Sequence, residues 1–371
     1  MTAPLDVLAG YVIEQAAIIQ QIPAPTFSEQ QRADYIAAEM TRLGLSDVHL
    51  DQTGNVLGCW PGGDSAPLVF SAHLDTVHRQ LDLPLERTEQ RLTGPGIADN
   101  SLGLAALLGL GHYLTQANAE FPGPVWLVAD VCEEGLGNLN GMKALVDYFE
   151  DSPRAYIILE GLGLGQVCHR GLGVIRYRIS AETAGGHSWV NYGTPSAIHE
   201  LAAIISSLSE MTLPRQPRTS MNVGVIQGGT SVNTIAPSAY CEVDLRSEDQ
   251  VFLTRLSQRV KQMAAQHERG GVHLEVALIG NRPAGGLPVD HPLVKLTAEC
   301  LKAEGLSPTY EIGSTDANIP LSRGFPAVCV GITRGNNPHT VQEYIELEPV
   351  KTGVSQLIRL AQSAWEYTSG R

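Results

Sequence analysis

The sequence predicts an α/β protein: a mixed, mostly parallel sheet with helices on both faces, into which a smaller α+β domain of ferredoxin-like order is inserted. Three observations carry that expectation. Leu68 to Ala72, Val125 to Ala129 and Ala155 to Leu159 are short unbroken apolar runs, the pattern of strands buried on both faces of a parallel sheet. Segments of helical spacing alternate with them. From about residue 175 to 282 the order becomes β-α-β-β-α-β, the split βαβ unit. The main domain is therefore expected to comprise residues 1–174 and 283–371, and the inserted one residues 175–282.

Leu5 to Ile22 has apolar residues at helical spacing and stops at Pro23-Ala24-Pro25. A second helix, with Ser28 as its N-cap, runs to Leu43-Gly44, where glycine can close it. Short strands near Val48 to Leu50 and Asn55 to Trp60 flank a Thr53-Gly54 turn, and the Leu68 strand runs into His73-Leu74-Asp75. Gly94 to Asn100 leads into a small-residue helix from Ser101 to Leu114, which puts Asp99 at a helix start. The Val125 strand ends in Cys132-Glu133-Glu134-Gly135, a helix follows near Met142 to Phe149, and the Ala155 strand ends in Glu160. In the inserted domain Thr194 and Ser247 are the expected helix caps, with Pro195 in a first turn. The main chain resumes with a helix from His291 to Glu304, strands near Pro308 and Ala327, a loop carrying His339, and a closing helix from Val350 to Tyr367.

With 371 residues, 43% of them hydrophobic, the chain can fill the cores of two domains. A net charge of -14 excludes nucleic acid or an anionic membrane as the main partner, because both need clustered Lys and Arg. No basic, apolar leader opens the chain, and no apolar run is long enough to span a bilayer, so a cytoplasmic location is the expectation. The six cysteines form no Cys-x-x-Cys pair and read as reduced, buried thiols.

The chemistry lies in the polar residues that follow the apolar runs. Adjacent carboxylates such as Glu133 and Glu134 repel and lose solvation near a core unless a cation or proton settles them. His73, Asp75, Asp99, Glu160 and His339 also stand at strand ends or loop tips, where open α/β sheets bind ligands. Two imidazoles and three or four carboxylates without a thiolate suit zinc, cobalt or manganese. They are too many for one tetrahedral ion, and suit two ions roughly 3.5 to 4 Å apart sharing a carboxylate.

These residues resemble the dinuclear metallo-amidohydrolases of the M20 peptidase family, which includes tripeptidase T, glutamate carboxypeptidase, succinyl-diaminopimelate desuccinylase, acetylornithine deacetylase and aminoacylase. The motifs span nearly the whole chain: His73-x-Asp75, Gly94 to Asp99, Glu133-Glu134, Glu160 and His339. The resemblance implies a zinc-exopeptidase-like fold with two divalent ions, Zn2+ first and Co2+ or Mn2+ next. His73 and Glu160 would hold one ion, Glu134 and His339 the other, and Asp99 would bridge them. Asp75 would orient His73, and Glu133 would be the general base. It further implies that the inserted domain is a lid that makes a homodimer, with His187 reaching the partner's site as an oxyanion donor. Asn233 and Arg246, and less strongly Ser314 and Thr315, are the implied substrate contacts, although a surface salt bridge is the ordinary reading of Arg246.

The implied reaction is hydrolysis of an amide bond in a small peptide or an N-acyl amino acid. A deacylase of acetylornithine or succinyl-diaminopimelate type is the alternative to a peptidase, and a Glu at position 160 leans away from a strict tripeptidase. A non-catalytic binding relative would be expected to lack the base or a ligand, and none is missing. A serine hydrolase is disfavoured because Gly186-His187-Ser188-Trp189-Val190 lacks the last glycine of a nucleophile elbow. Gly161-Leu162-Gly163-Leu164-Gly165 misses dinucleotide spacing, so its glycines read as turn formers, and Cys132 reads as a buried thiol rather than a nucleophile.

Overall fold

The computed structural model describes residues 4–80 and 82–366. The chain forms two compact units, one of residues Met1–Gly171 with Gly286–Arg371 and one of Leu172–Gly285.

In the first unit the strands lie in the order Ser46–Leu50, Val56–Trp60, Val125–Asp130, Leu68–His73, Ala155–Leu162, Ala327–Thr333, Gln166–Gly171, with Thr309–Gly313 beside the last. The four from Val125–Asp130 to Ala327–Thr333 are mutually parallel, and antiparallel neighbours flank them on either side. Each parallel strand sends alternate residues into two separate cores. Phe70, Leu127 and Ile157 join the helices Leu5–Gln20, Gln30–Arg42 and Leu102–Ala117 on one face, whereas Val69, Val128 and Ile158 meet the helix Asn140–Phe149 on the other. Burial on both faces is why these strands are apolar without alternation. From Leu68–His73 the chain passes to a neighbour on one side and then to Ala155–Leu162 on the other. The strand order reverses there, which opens a crevice at the carboxyl end of the central strand, where His73 stands.

The second unit is a four-stranded antiparallel sheet ordered Thr219–Gly228, Ser238–Ser247, Gly173–Thr183, Val272–Arg282. Helices Ala197–Ser209 and Gln250–Gln266 cover one face, where Tyr177, Ile179, Cys241 and Val243 pack with Ile204, Leu253 and Val260.

Several element ends depart from the sequence expectation. The second helix begins at Gln30, behind Glu29 rather than a Ser28 cap. Ala197 and Gln250 start the two helices of the second unit; Ser196 precedes the first without a capping bond, and Asp249 caps the second by accepting the Phe252 N–H at 2.6 Å. Glu160 is not terminal, since its strand runs on to Leu162. The last helix ends at Ser363, and Tyr367, where it was expected to stop, lies outside the described residues. Among the described residues no helix is long and apolar enough to cross a membrane.

Candidate metal centre

His73 ends the central strand with its ring buried. Its Nδ1 lies 3.0 Å from the backbone carbonyl of Asp75 and 3.5 Å from Asp75 Oδ1. A carbonyl only accepts, so Nδ1 carries a proton and Nε2 points into the crevice. There it stands 3.0 Å from Asp99 Oδ1 and 3.8 Å from Glu160 Oε2. The Asp75 carboxylate, fully buried, mainly serves its neighbours: it accepts the N–H groups of Glu133 (2.9 Å) and Glu134 (3.0 Å) and the Thr26 hydroxyl (2.8 Å). Cys132, at φ 61°, turns the chain out of the Val125–Asp130 strand so that both N–H groups face Asp75.

Asp99 sits in a turn at residues 97–101, and its peptide bond to Asn100 is cis. Asn100 pins that turn to the Glu160 strand: it donates to the Leu159 carbonyl at 2.8 Å and accepts from Gly161 N and Gly103 N, both at 3.1 Å. The approach is close enough that a Cβ on Gly161 would lie 2.0 Å from the Ala98 carbonyl oxygen. Gly161 is thus required within the strand, while Gly163 and Gly165, at positive φ, form the turn that sequence assigned to all three. On the far side of Asp99, His339 Nε2 lies 2.9 Å from Asp99 Oδ2 and 3.0 Å from Glu134 Oε1. Two donor groups result, His73-Asp99-Glu160 and Asp99-Glu134-His339, each with its ligand atoms within 4.8 Å of one another and both using Asp99.

Burial and mutual hydrogen bonds shift four of these groups away from their ordinary pKa values. Burial works against a charged His73, yet hydrogen bonds to Asp75, Asp99 and Glu160 outweigh it and hold its pKa well above the ordinary imidazole value. Hydrogen bonds to Asp99 and Glu134 raise His339 to about 10. Burial alone would raise Asp99, but the two imidazoles pull it below the usual carboxylate range. Glu160 is raised by burial and by the charges of Asp99 and Glu134, with His73 opposing. Two imidazole nitrogens and three carboxylates thus stand together at one spot. With no thiolate among them, and with the second nitrogen of His73 fixed by a carbonyl, they fit a divalent cation of the zinc type.

Glu133 is buried beside this cluster, its backbone fixed by Asp75. Burial and then the Glu29 charge push the Cys132 thiol up to about 12, which removes it as a nucleophile. Ser314 and Thr315 follow the strand Thr309–Gly313 in the same unit, and Thr315 N donates to Asn318 Oδ1 at 3.1 Å. His187, Asn233 and Arg246 belong to the second unit. There His187 lies in a two-residue strand paired with Thr234–Ile235, Asn233 accepts the Ser188 N–H at 3.0 Å, and Arg246 Nε donates to Asp244 at 2.7 Å. Sequence reasoning missed Asn100, and also Arg32, whose buried guanidinium ties Ile22 O (2.7 Å) to Leu74 O (2.8 Å) behind Asp75. Neither carries a local mark in the sequence beyond its own polarity.

A switch-point crevice holding a shared carboxylate between two imidazoles defines an α/β protein with a candidate dinuclear metal site. Residues 69–363 match the peptidase family M20/M25/M40, and the chain belongs to that family. It is accordingly a hydrolase. Succinyl-diaminopimelate desuccinylase of Corynebacterium glutamicum is 24% identical over 366 residues, covering 96% of both chains. Among solved structures, a Staphylococcus aureus tripeptidase superposes with a TM-score of 0.80 at 21% identity, over 97% of this chain and 99% of that one. A Bacillus subtilis dinuclear metal-binding M20 peptidase gives a TM-score of 0.71 at 17% identity, over 96% of this chain and 98% of that one.

Proposed function

We propose that this protein is a dinuclear metal-dependent hydrolase that cleaves an amide bond in small peptides or N-acyl amino acids, with Glu133 as general base. The observation that carries this reading is Asp99 itself, one carboxylate 3.0 Å from His73 Nε2 and 2.9 Å from His339 Nε2, with Glu160 and Glu134 on either side. His73 and Glu160 would hold one ion, Glu134 and His339 the other, and Asp99 both. Such a pair of ions supplies Lewis acidity and lowers the pKa of water from about 15.7 towards 7. Glu133 takes the proton of the attacking water and returns it to the leaving nitrogen, the two halves of general acid–base catalysis. Asp75 serves it by fixing the backbone of Glu133 and Glu134 together. The desuccinylase name of the Corynebacterium relative and the tripeptidase name of the Staphylococcus one support an amide-bond substrate of either kind.

In the second unit, His187 Nδ1 accepts the N–H groups of Trp189 (3.2 Å) and Val190 (3.4 Å), which leaves Nε2 as the protonated donor. That tautomer suits an oxyanion donor. Trp189, Val190, Tyr192 and Val232 around it are highly exposed, 75% or more, an apolar patch that favours a second copy of this chain as partner. Asn233, Ser314, Thr315 and Arg246, the last once released from Asp244, complete the proposed substrate contacts.

Glu133→Gln is the deciding variant. It should bind metal as the wild type does and lose about 10²- to 10⁴-fold in turnover. A panel of di- and tripeptides and N-acetyl and N-succinyl amino acids, each with one terminus blocked, then separates peptidase from deacylase. Hydrolysis by Glu133→Gln at the wild-type rate would mean that another group is the base.

A further inference from the structure

Glu343 stands in the hairpin that carries His339. The strands Gly335–Asn336 and Tyr344–Glu346 pair with each other, and the latter pairs with Arg91–Thr93, from which the chain runs into the Asp99 turn. The Glu343 carboxyl is completely buried and serves both segments. Oε1 accepts the N–H of Ala98 at 2.6 Å and of Asp99 at 2.8 Å, and Oε2 accepts the N–H of His339 at 3.2 Å. The backbone repeats the link, with Gly94 N donating to the Glu343 carbonyl at 2.8 Å. His78 Nε2, 3.9 Å from Oε2, is too distant for a hydrogen bond.

We infer that Glu343 is a positioning residue that locks the shared ligand Asp99 and the loop ligand His339 into one geometry, so that the two halves of the metal centre assemble together. The inference rests on the two-ion reading above. A buried carboxylate satisfying three backbone donors across 245 residues of sequence has a job no nearer group does: it sets the separation of two ligands that approach from different segments. Glutamine separates the two halves of that job. Its carbonyl oxygen can keep the two N–H groups of Ala98 and Asp99, but its NH2 then meets the His339 N–H, donor against donor. Glu343→Gln should therefore disturb His339 alone, and Glu343→Ala should release Asp99 as well.

Metal-free proteins titrated with Co2+, followed by calorimetry and visible absorption, test this. Wild type should take up two ions. In Glu343→Gln one of them should bind about 10- to 100-fold more weakly, while the absorption of the first equivalent matches wild type. Glu343→Ala should weaken both. General damage to the fold would not single out one ion. Wild type that takes up fewer than two ions overturns the two-ion reading and this inference with it. Two ions in wild type with unchanged affinities in Glu343→Gln overturn the role of Glu343 alone. Should the variants not fold, amide exchange in wild type decides. Slow, concerted exchange at Ala98, Asp99 and His339 supports the lock, and fast exchange at His339 within an otherwise protected fold rejects it.

Discussion

Asp130 and Asp316 pose a problem that neither solves alone. Both are fully buried, and although Asp130 Oδ1 accepts the Ser71 hydroxyl, no donor reaches Asp130 Oδ2 or either oxygen of Asp316 among the described residues. The Asp130 charge acts on Asp316. Burial raises both, and the neighbouring Asp130 charge helps hold Asp316 well above the ordinary carboxyl range, so the fold retains protons that isolated carboxyls would already have lost. In the unfolded chain both ionise near about 3.9. Above that value the folded state binds more protons than the unfolded state, so stability falls as pH rises until the raised folded values are passed, by about 1.4 kcal/mol per pH unit for each full proton. Asp316→Asn keeps the shape and gives Asp130 an N–H without ionising. Urea unfolding of the metal-free protein from about pH 5 to 8 should show a shallower decline for the variant. Parallel curves would mean that Asp316 does not retain a proton in the fold.

At the scale of elements, what sequence revealed and what it hid divide by the distance over which each contact acts. The parallel strands were legible because burial on both faces imposes an unbroken apolar run, and His73, Glu134 and Glu160 because polarity appears abruptly within or after such a run. The caps misread at Ser28, Thr194 and Ser247 are local choices among several polar residues at a helix start, which tertiary packing decides. Asn100 and Glu343 were hidden because their partners are backbone groups 59 and 245 residues away, which no side chain announces. Gly161 was hidden for a different reason: its role is the absence of a Cβ where the Asp99 turn crosses the strand. Gly161→Ala would put a methyl group against a backbone carbonyl, and the turn must retreat. The expected cost is about 1 to 3 kcal/mol in urea unfolding of the metal-free protein, with weaker binding of both ions because Asp99 belongs to both donor groups. Unchanged stability and affinity would show that the turn can retreat from the methyl group at no cost.

At the scale of the whole molecule, the proposal for His187 makes function a property of two copies rather than one. Each unit closes its own core, the first around the parallel sheet and the second around its antiparallel one. The exposed patch of Trp189, Val190, Tyr192 and Val232 is what isolation leaves unexplained. If a second copy covers it, His187 of one protomer serves the metal centre of the other, and catalysis can be restored between two inactive chains. His187→Ala should lose about 10²- to 10³-fold in turnover, the value of one oxyanion donor, with metal content unchanged. Glu133→Gln should lose about 10²- to 10⁴-fold in turnover for the separate reason given above. In a mixed dimer of the two, one centre combines an intact Glu133 with an intact partner histidine, while the other lacks both. Random exchange makes half the dimers mixed, each with one working centre of two, so the mixture should recover about a quarter of wild-type activity. Verified mixed dimers without recovery would confine each site to its own chain, and a monomer in solution would do the same.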